Sequence, residues 1–285
     1  MAVIQKMNKK SMIFTVFAIL LVAVLIANVS LLSRTDYMQK SFVTSSRVTT
    51  MNDFILSVHQ DAQRNLMISG YRAIITLQRY IAVNGVFVTN FSDVFQELVV
   101  NGSINGVKED IMENASINDW AFRMNNEAEK LNINVYITPR NVRVYHKTPW
   151  KITIELNATM NITDFNNLAC WKYDKVFQKE VDIISFEDPI YTVRSYNKVT
   201  NIISRANNTN FVNKTNNDTS VLYLALNNSY YIESSNAPDF ISRFSGNFSA
   251  SQYGITSLVD LLDFSRQNIE LLDRSVIDYQ YFNTS

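Results

Sequence analysis

MIFTVFAILLVAVLIANVSLL, from Met12 to Leu32, is a run of 21 residues without a charge. As a helix rising 1.5 Å per residue it spans about 30 Å, the thickness of a bilayer core. The apolar core of a cleaved secretory signal is shorter, roughly 7–15 residues, and ends in a small-x-small site. The nearest small pair here, Asn28 and Ser30, fits that site poorly. A buried soluble helix of this length normally carries a charge. The run therefore reads as a transmembrane helix over residues 11–33, with membrane lipid as its first partner.

Orientation follows from the flanks. Lys6, Lys9 and Lys10 precede the span, and the first ten residues hold no acid. Positive flanks stay cytoplasmic. Residues 1–10 are then a cytoplasmic basic tail, and everything from about Ser33 lies outside a cell membrane crossed once. The 26 basic and 26 acidic residues cancel, but setting aside the three Lys leaves 23 against 26, an exterior of about −3. That balance gives no basic footprint for nucleic acid and no polybasic lipid patch. A tail of ten residues has no room for a kinase or adaptor domain.

Thirty-three of the 285 residues are Asn, and only 6 are Gly. With 45 Ser and Thr, chance predicts about 5 Asn-x-Ser/Thr sequons; 12 occur. Asn28 falls in the span. The other 11 are candidate N-glycosylation sites on the outer side: Asn90, Asn101, Asn114, Asn157, Asn161, Asn207, Asn213, Asn217, Asn227, Asn247 and Asn283. Compositional bias of an AT-rich genome also raises Asn and lowers Gly. One cysteine, Cys170, excludes a disulfide framework. Secreted eukaryotic ectodomains usually carry paired Cys, so many sequons beside one Cys fit an archaeal surface protein better. Cys170 itself is expected as a small buried apolar residue.

Beyond the span, Met51, Ile55, Val58, Ala62, Leu66, Ser69, Ala73, Leu77 and Tyr80 recur at steps of three and four, one stripe of a helix. Residues 34–83 thus read as an extended amphipathic helix, with Gly70 a candidate bend and Asn84-Gly85 its end. Residues 84–131 read as short helices: one capped by Ser92 over Val94 to Val100, and one from the capping-box-like Ser116-Ile117-Asn118-Asp119 to Leu131. Residues 132–285 read as a β-rich extracellular head. Its clearest strand is Ile152 to Ile162, where Ile152, Ile154, Leu156, Ala158, Met160 and Ile162 alternate with polar residues. Asn157 and Asn161 fall on the wet face. Further expected strands are Ile133–Ile137 and Val142–Tyr145, separated by Pro139-Arg140, then Val181–Phe186 and Tyr191–Tyr196 around Asp188-Pro189. Residues 206–220, with six Asn, read as a solvated loop. A hairpin is expected around Asn227-Asn228, joining Val221–Leu226 to Tyr230–Glu233. A short helix is expected over Gly254–Phe264 and a last strand over Ser275–Phe282. The fold class is α+β: a transmembrane helix continuing into a long amphipathic helix, packed against the β-rich head.

Chemistry is sparse. HExxH, GxSxG, Walker A and GxGxxG are absent. His59 sits on the long helix, and His146 follows a strand. Glu187-Asp188 reads as turn polarity, since adjacent strand residues point to opposite faces. The aromatics Tyr145, Trp150, Trp171, Tyr173, Tyr191 and Tyr196 read as sheet packing. The expectation is no enzyme, no cofactor, no metal site and no identified small-molecule substrate.

Lys9-Lys10-Ser11, running directly into Met12 to Leu32 and then the stripe Met51 to Tyr80, resembles the type IV pilin-like proteins. That resemblance covers about the first 80 residues and rests on the order of parts. It implies a leader cut near Ser11/Met12, helices that pack into a filament core, and other pilin-like or surface subunits as partners. Ser11 stands where that family usually has Gly or Ala, and the early apolar segment lacks its Glu. Phe186 to Tyr191 and Phe244 to Tyr253 look similar to segments of archaeal membrane-anchored surface proteins. The leading expectation is a single-pass surface glycoprotein with a structural or adhesive role, such as a pilin-like subunit of a filament. The alternative is a membrane-tethered binding subunit of an envelope or transporter complex. A third, an envelope hydrolase, would need His146 or Cys170 beside a carboxylate in a cleft.

Overall fold

The computed structural model describes residues 9–207, 211 and 220–258, without the side chains of residues 9–12 and 32–37. The architecture is mixed α+β. Compact packing divides the chain into two units: Met1–Leu56 with Asn166–Ala169, and Ser57–Phe165 with the chain from Cys170 on.

The first unit holds most of α1, a single helix from Lys9 to Asn84. Within it, Ile13–Leu31 has a mean hydropathy of 2.7, long and apolar enough to cross a membrane. Its large apolar side chains are 51–77 % exposed. Within it, Asn28 Nδ2 donates to the Val24 carbonyl one turn back at 2.9 Å.

In the second unit, the remainder of α1 buries Val58, Ala62, Leu66, Ser69, Ala73, Ile74, Leu77 and Ile81. Polar ties hold it in place. Trp120 Nε1 donates to Asp61 at 2.7 Å, Arg72 to the carbonyls of Ile111 and Glu113, and Gln78 to that of Glu187 at 2.8 Å. The helix ends at Asn84 because Gly85 takes φ +67°, a left-handed C′ position suited to glycine. Gly70 lies inside the unbroken helix. A Cβ there would overlap Ile154 Cδ1, so glycine lets the helix approach the sheet.

Helix α2 (Phe91–Asn101) begins three residues before the expected start, after Asn90 in a left-handed conformation rather than at Ser92. The short strands β1 (Ser103–Ile104) and β2 (Val107–Lys108) and a 3₁₀ turn lead to α3 (Ile117–Glu129). Ser116 caps α3 with the reciprocal Ser116–Asp119 box. Ile117, Trp120 and Ala128 are buried, whereas Leu131 is exposed.

The main sheet has the order β3-β4-β5, all antiparallel. β3 runs unbroken from Ile133 to Thr148. The two short strands expected there are one, because Pro139-Arg140 forms a register shift on an edge strand instead of a turn. β4 spans Lys151–Asp164. β5, Cys170–Asp182, lies where no strand was expected before Val181. Ile152, Ile154, Leu156, Ala158, Met160 and Ile162 are all fully buried on one face of β4.

After β5 the expected strands give way. Tyr191–Tyr196 is not a strand, because Asp188 caps and Pro189 starts helix α4 (Pro189–Arg194). Val221–Leu226 is not half of a hairpin. It lies in α5 (Ser220–Asn227), a Leu/Ala-rich run whose last turn is closed by the Asn228 backbone amide at 3.2 Å and its side-chain amide at 2.7 Å on the Leu224 carbonyl, before Ser229 turns left-handed. β6 (Tyr231–Glu233) pairs instead with β7 (Ile255–Ser257), where a helix was expected, and α6 (Phe240–Phe244) lies between them. Most of loop 206–220 and the strand expected at Ser275–Phe282 lie outside the described residues.

Candidate functional site

The polar face of the three-stranded sheet gathers the second unit's most organised surface groups. Strand alternation puts Arg143, Glu155 and Gln178 in one row across β3, β4 and β5. Glu155 is 8 % exposed, although it points to the polar side. It accepts from Arg143 Nε at 3.0 Å and from Arg143 Nη2, from Gln178 Nε2 at 2.6 Å and from the Tyr145 hydroxyl at 3.4 Å. The Arg143 hydrogen bond holds its carboxyl below the usual carboxylate range, against the opposing effect of burial. A carboxylate so pinned stays ionised at neutral pH and serves as an acceptor, not as a proton donor. Beside it, Ser92, Asp93 and Gln96 of α2 face Asn141 to Tyr145 across an open cleft of about 630 Å³. Gln96 Oε1 accepts the Val142 amide at 3.2 Å, which ties α2 to the shifted register of β3.

The candidate glycosylation sites are spread over both helices and loops. Asn90, Asn101, Asn114, Asn207, Asn227 and Asn247 are exposed. Asn157 and Asn161 are half-buried on the polar face of β4, beside Val176 and Lys172 of β5. The Asn157 Oδ1 has no hydrogen-bond partner. Asn213, Asn217 and Asn283 lie outside the described residues.

His146 does stand beside a carboxylate. It lies inside β3 rather than after it, with its side chain 3 % exposed. Its Nδ1 is 3.2 Å from the Thr148 carbonyl and 3.1 Å from that of Lys151. Both are acceptors, so Nδ1 carries the proton and Nε2 presents a lone pair. Nε2 lies 3.8 Å from Asp239 Oδ1 without a hydrogen bond, and Tyr253 stacks on the ring. Burial pushes the imidazole below its ordinary value, partly offset by Asp239. Asp239 is held low by the amide and hydroxyl of Ser242 and by Ser251, against its burial. The ring is sealed from solvent, so no substrate atom reaches it in this conformation. Cys170 is exposed at the start of β5, not buried as expected, because its parity puts it on the polar face, near Asn161 and Thr163. Among the described residues, no group of three or more His, Cys, Asp or Glu is placed to hold a metal ion.

The polar group the sequence reading missed is Asp188. It is fully buried, not turn polarity. Oδ1 caps α4 through the Ile190 amide at 3.0 Å, while Oδ2 accepts from Arg243 Nη1 at 2.5 Å and from the Tyr231 hydroxyl at 2.8 Å. Arg243, also fully buried, reaches the Ile255 carbonyl with Nη2. Burial and the Asp188 charge push the Tyr231 hydroxyl well above its ordinary value. The network joins α4, β6, α6 and β7, and removing one partner of such a buried pair would leave an uncompensated charge inside the fold. The Asp-Pro dipeptide signalled the cap; nothing local signalled an arginine 55 residues on.

Comparison with protein-family models, with curated proteins and with solved structures finds no match.

Proposed function

We propose that this chain is a single-pass, N-terminally anchored surface glycoprotein with a structural or adhesive role, of pilin-like design. The tail before the span is cytoplasmic, and the unit from Ser57 on is displayed outside. One observation carries the reading: the apolar helix Ile13–Leu31 buries none of its side chains. A core helix of that hydropathy would bury its surface; lipid is the solvent that suits one apolar all round. The uninterrupted passage of α1 beyond the span favours a retained anchor over a discarded signal. The six exposed sequons favour display on the glycosylating side of the membrane. The cleft beside Glu155 favours, as a second reading, a tethered subunit that binds a partner there.

The test is fractionation of cells that express the full chain. The protein stays in the membrane through alkaline carbonate, protease added to intact cells removes the second unit, and glycopeptides map to the exposed sequons. Release by carbonate removes the anchor, and protection from external protease reverses the orientation. A partner that co-purifies on mild extraction and is lost in an Arg143→Glu variant would favour the tethered subunit.

A further inference from the structure

The outer edge of β5 is unpaired. The sheet order is β3-β4-β5, and among the described residues no hydrogen bond reaches a β5 backbone group from any element but β4. Its pairing with β4 runs from Cys170 to Asp182 without a bulge. Side chains therefore alternate strictly along it. Lys172, Asp174, Val176, Gln178 and Glu180 are exposed on the polar face, while Phe177 and Val181 are buried on the other. A regular edge of 13 residues is a template for strand addition.

We infer that this edge pairs antiparallel with β5 of a second copy of this chain, with Val176 on the twofold axis. Self-complementary charges point to a second copy as the occupant, and among registers that pair nine or more residues of each strand they select one. A twofold axis perpendicular to the sheet keeps the polar faces together, so the axis passes through a residue, and each choice fixes every cross-strand pair. Centred on Val176, Lys172 faces Glu180 twice, Asp174 faces Gln178 twice, and no like charges meet. Centred on Asp174 or on Lys175, that residue meets itself. Centred on Phe177, Lys175 faces Lys179 and Asp174 faces Glu180. Centred on Gln178, Asp174 faces Asp182. Like charges directly opposite destabilise a strand pair, and opposite charges stabilise it. Lys175 and Lys179 would blunt random edge pairing. In the Val176 register they lie opposite Phe177 and Tyr173, rings that accept a cation. Val176, 49 % exposed in the single chain, is covered by its own copy. Side chains leave a sheet roughly at right angles to its plane. A glycan at Asn157, one strand inward, therefore projects from the face and leaves the edge open. This contact is independent of the membrane reading.

The experiment uses the full chain in detergent, in a Cys170→Ser background. Val176→Cys should give a disulfide-linked dimer on mild oxidation, while Asp174→Cys should not, since residues opposite on the axis bring Cβ atoms within about 5.5 Å. Lys172→Glu should weaken the dimer by roughly tenfold or more, since two attractive pairs become repulsive. Adding Glu180→Lys should restore it. A monomer at every concentration overturns the proposal. So does a dimer indifferent to Lys172→Glu, the behaviour of association through α1, and so does equal cross-linking at positions 174 and 176.

Discussion

His146 donates through Nδ1 to two carbonyls and holds its other nitrogen in a closed space 3.8 Å from Asp239. Burial outweighs the carboxylate, so the folded protein binds the proton less tightly than the unfolded chain. The ordinary histidine value is about 6.5, and the folded value lies below it. Between the two, the unfolded state carries more protons, and stability falls as the pH is lowered. His59 is shifted in the same direction by burial and by Lys175, and it contributes with the same sign. The melting temperature should therefore drop from pH 7 toward pH 5.5, and His146→Gln should flatten that slope without abolishing it. A variant with the wild-type slope would show that the ring takes its proton without penalty. The sequence placed His146 near a strand but did not reveal its neighbour. Asp239 is 93 positions away, and no local pattern connects it to the ring. Asp188 was misread for a related reason. Adjacency to Glu187 suggested a turn, whereas burial was decided by Tyr231 and Arg243, which arrive from far along the chain.

Helices and strands were legible where burial repeats with a clean period. β4 is the plainest case, since its apolar residues alternate without exception and every one is buried. The capping box at Ser116 was equally local. β5 escaped notice because Lys175 and Lys179 interrupt the set Trp171, Tyr173, Phe177 and Val181 on its inner parity. Allowing two lysines on an edge strand would have exposed it. α5 shows the opposite failure: a six-residue apolar run fits strand or helix equally, and periodicity alone does not decide it. Gly70 gives an element-level test. Alanine there gains about 1 kcal/mol of helix propensity. The added methyl meets Ile154, which is fully buried, and overpacking costs about 1–3 kcal/mol. Gly70→Ala should therefore destabilise the protein by about 1 kcal/mol in chemical denaturation. Ile154→Val removes the clashing methyl, and the double variant should lose less than the sum of the two singles. Strict additivity, or stabilisation by Gly70→Ala alone, would mean that helix and sheet have room to separate.

For the whole molecule, the decisive asymmetry is where apolar surface goes. The large side chains from Ile13 to Leu31 are more than half exposed, while among the described residues every buried hydrophobic one lies from Met51 onward. A chain with both features carries one apolar segment with nothing packed on it and another that folds by burying its apolar side chains. The net charge of zero averages a basic stretch before the apolar run against a remainder with 23 basic and 26 acidic residues. Removing residues 1–44 leaves Met51 and Ile55, both buried, within the chain. That shortened protein should remain in solution without detergent and unfold cooperatively, with a melting temperature within a few degrees of the full chain in micelles. The full chain without detergent should aggregate, because about 30 Å of uncovered apolar helix has no partner in water. Aggregation of the shortened protein with a cooperative transition intact would place a second sticky surface on the folded unit. The Lys172→Glu substitution would then tell whether that surface is the edge of β5. Loss of the transition altogether would mean that residues 1–44 contribute to folding itself, and the apolar segment would no longer be separable from the folded unit.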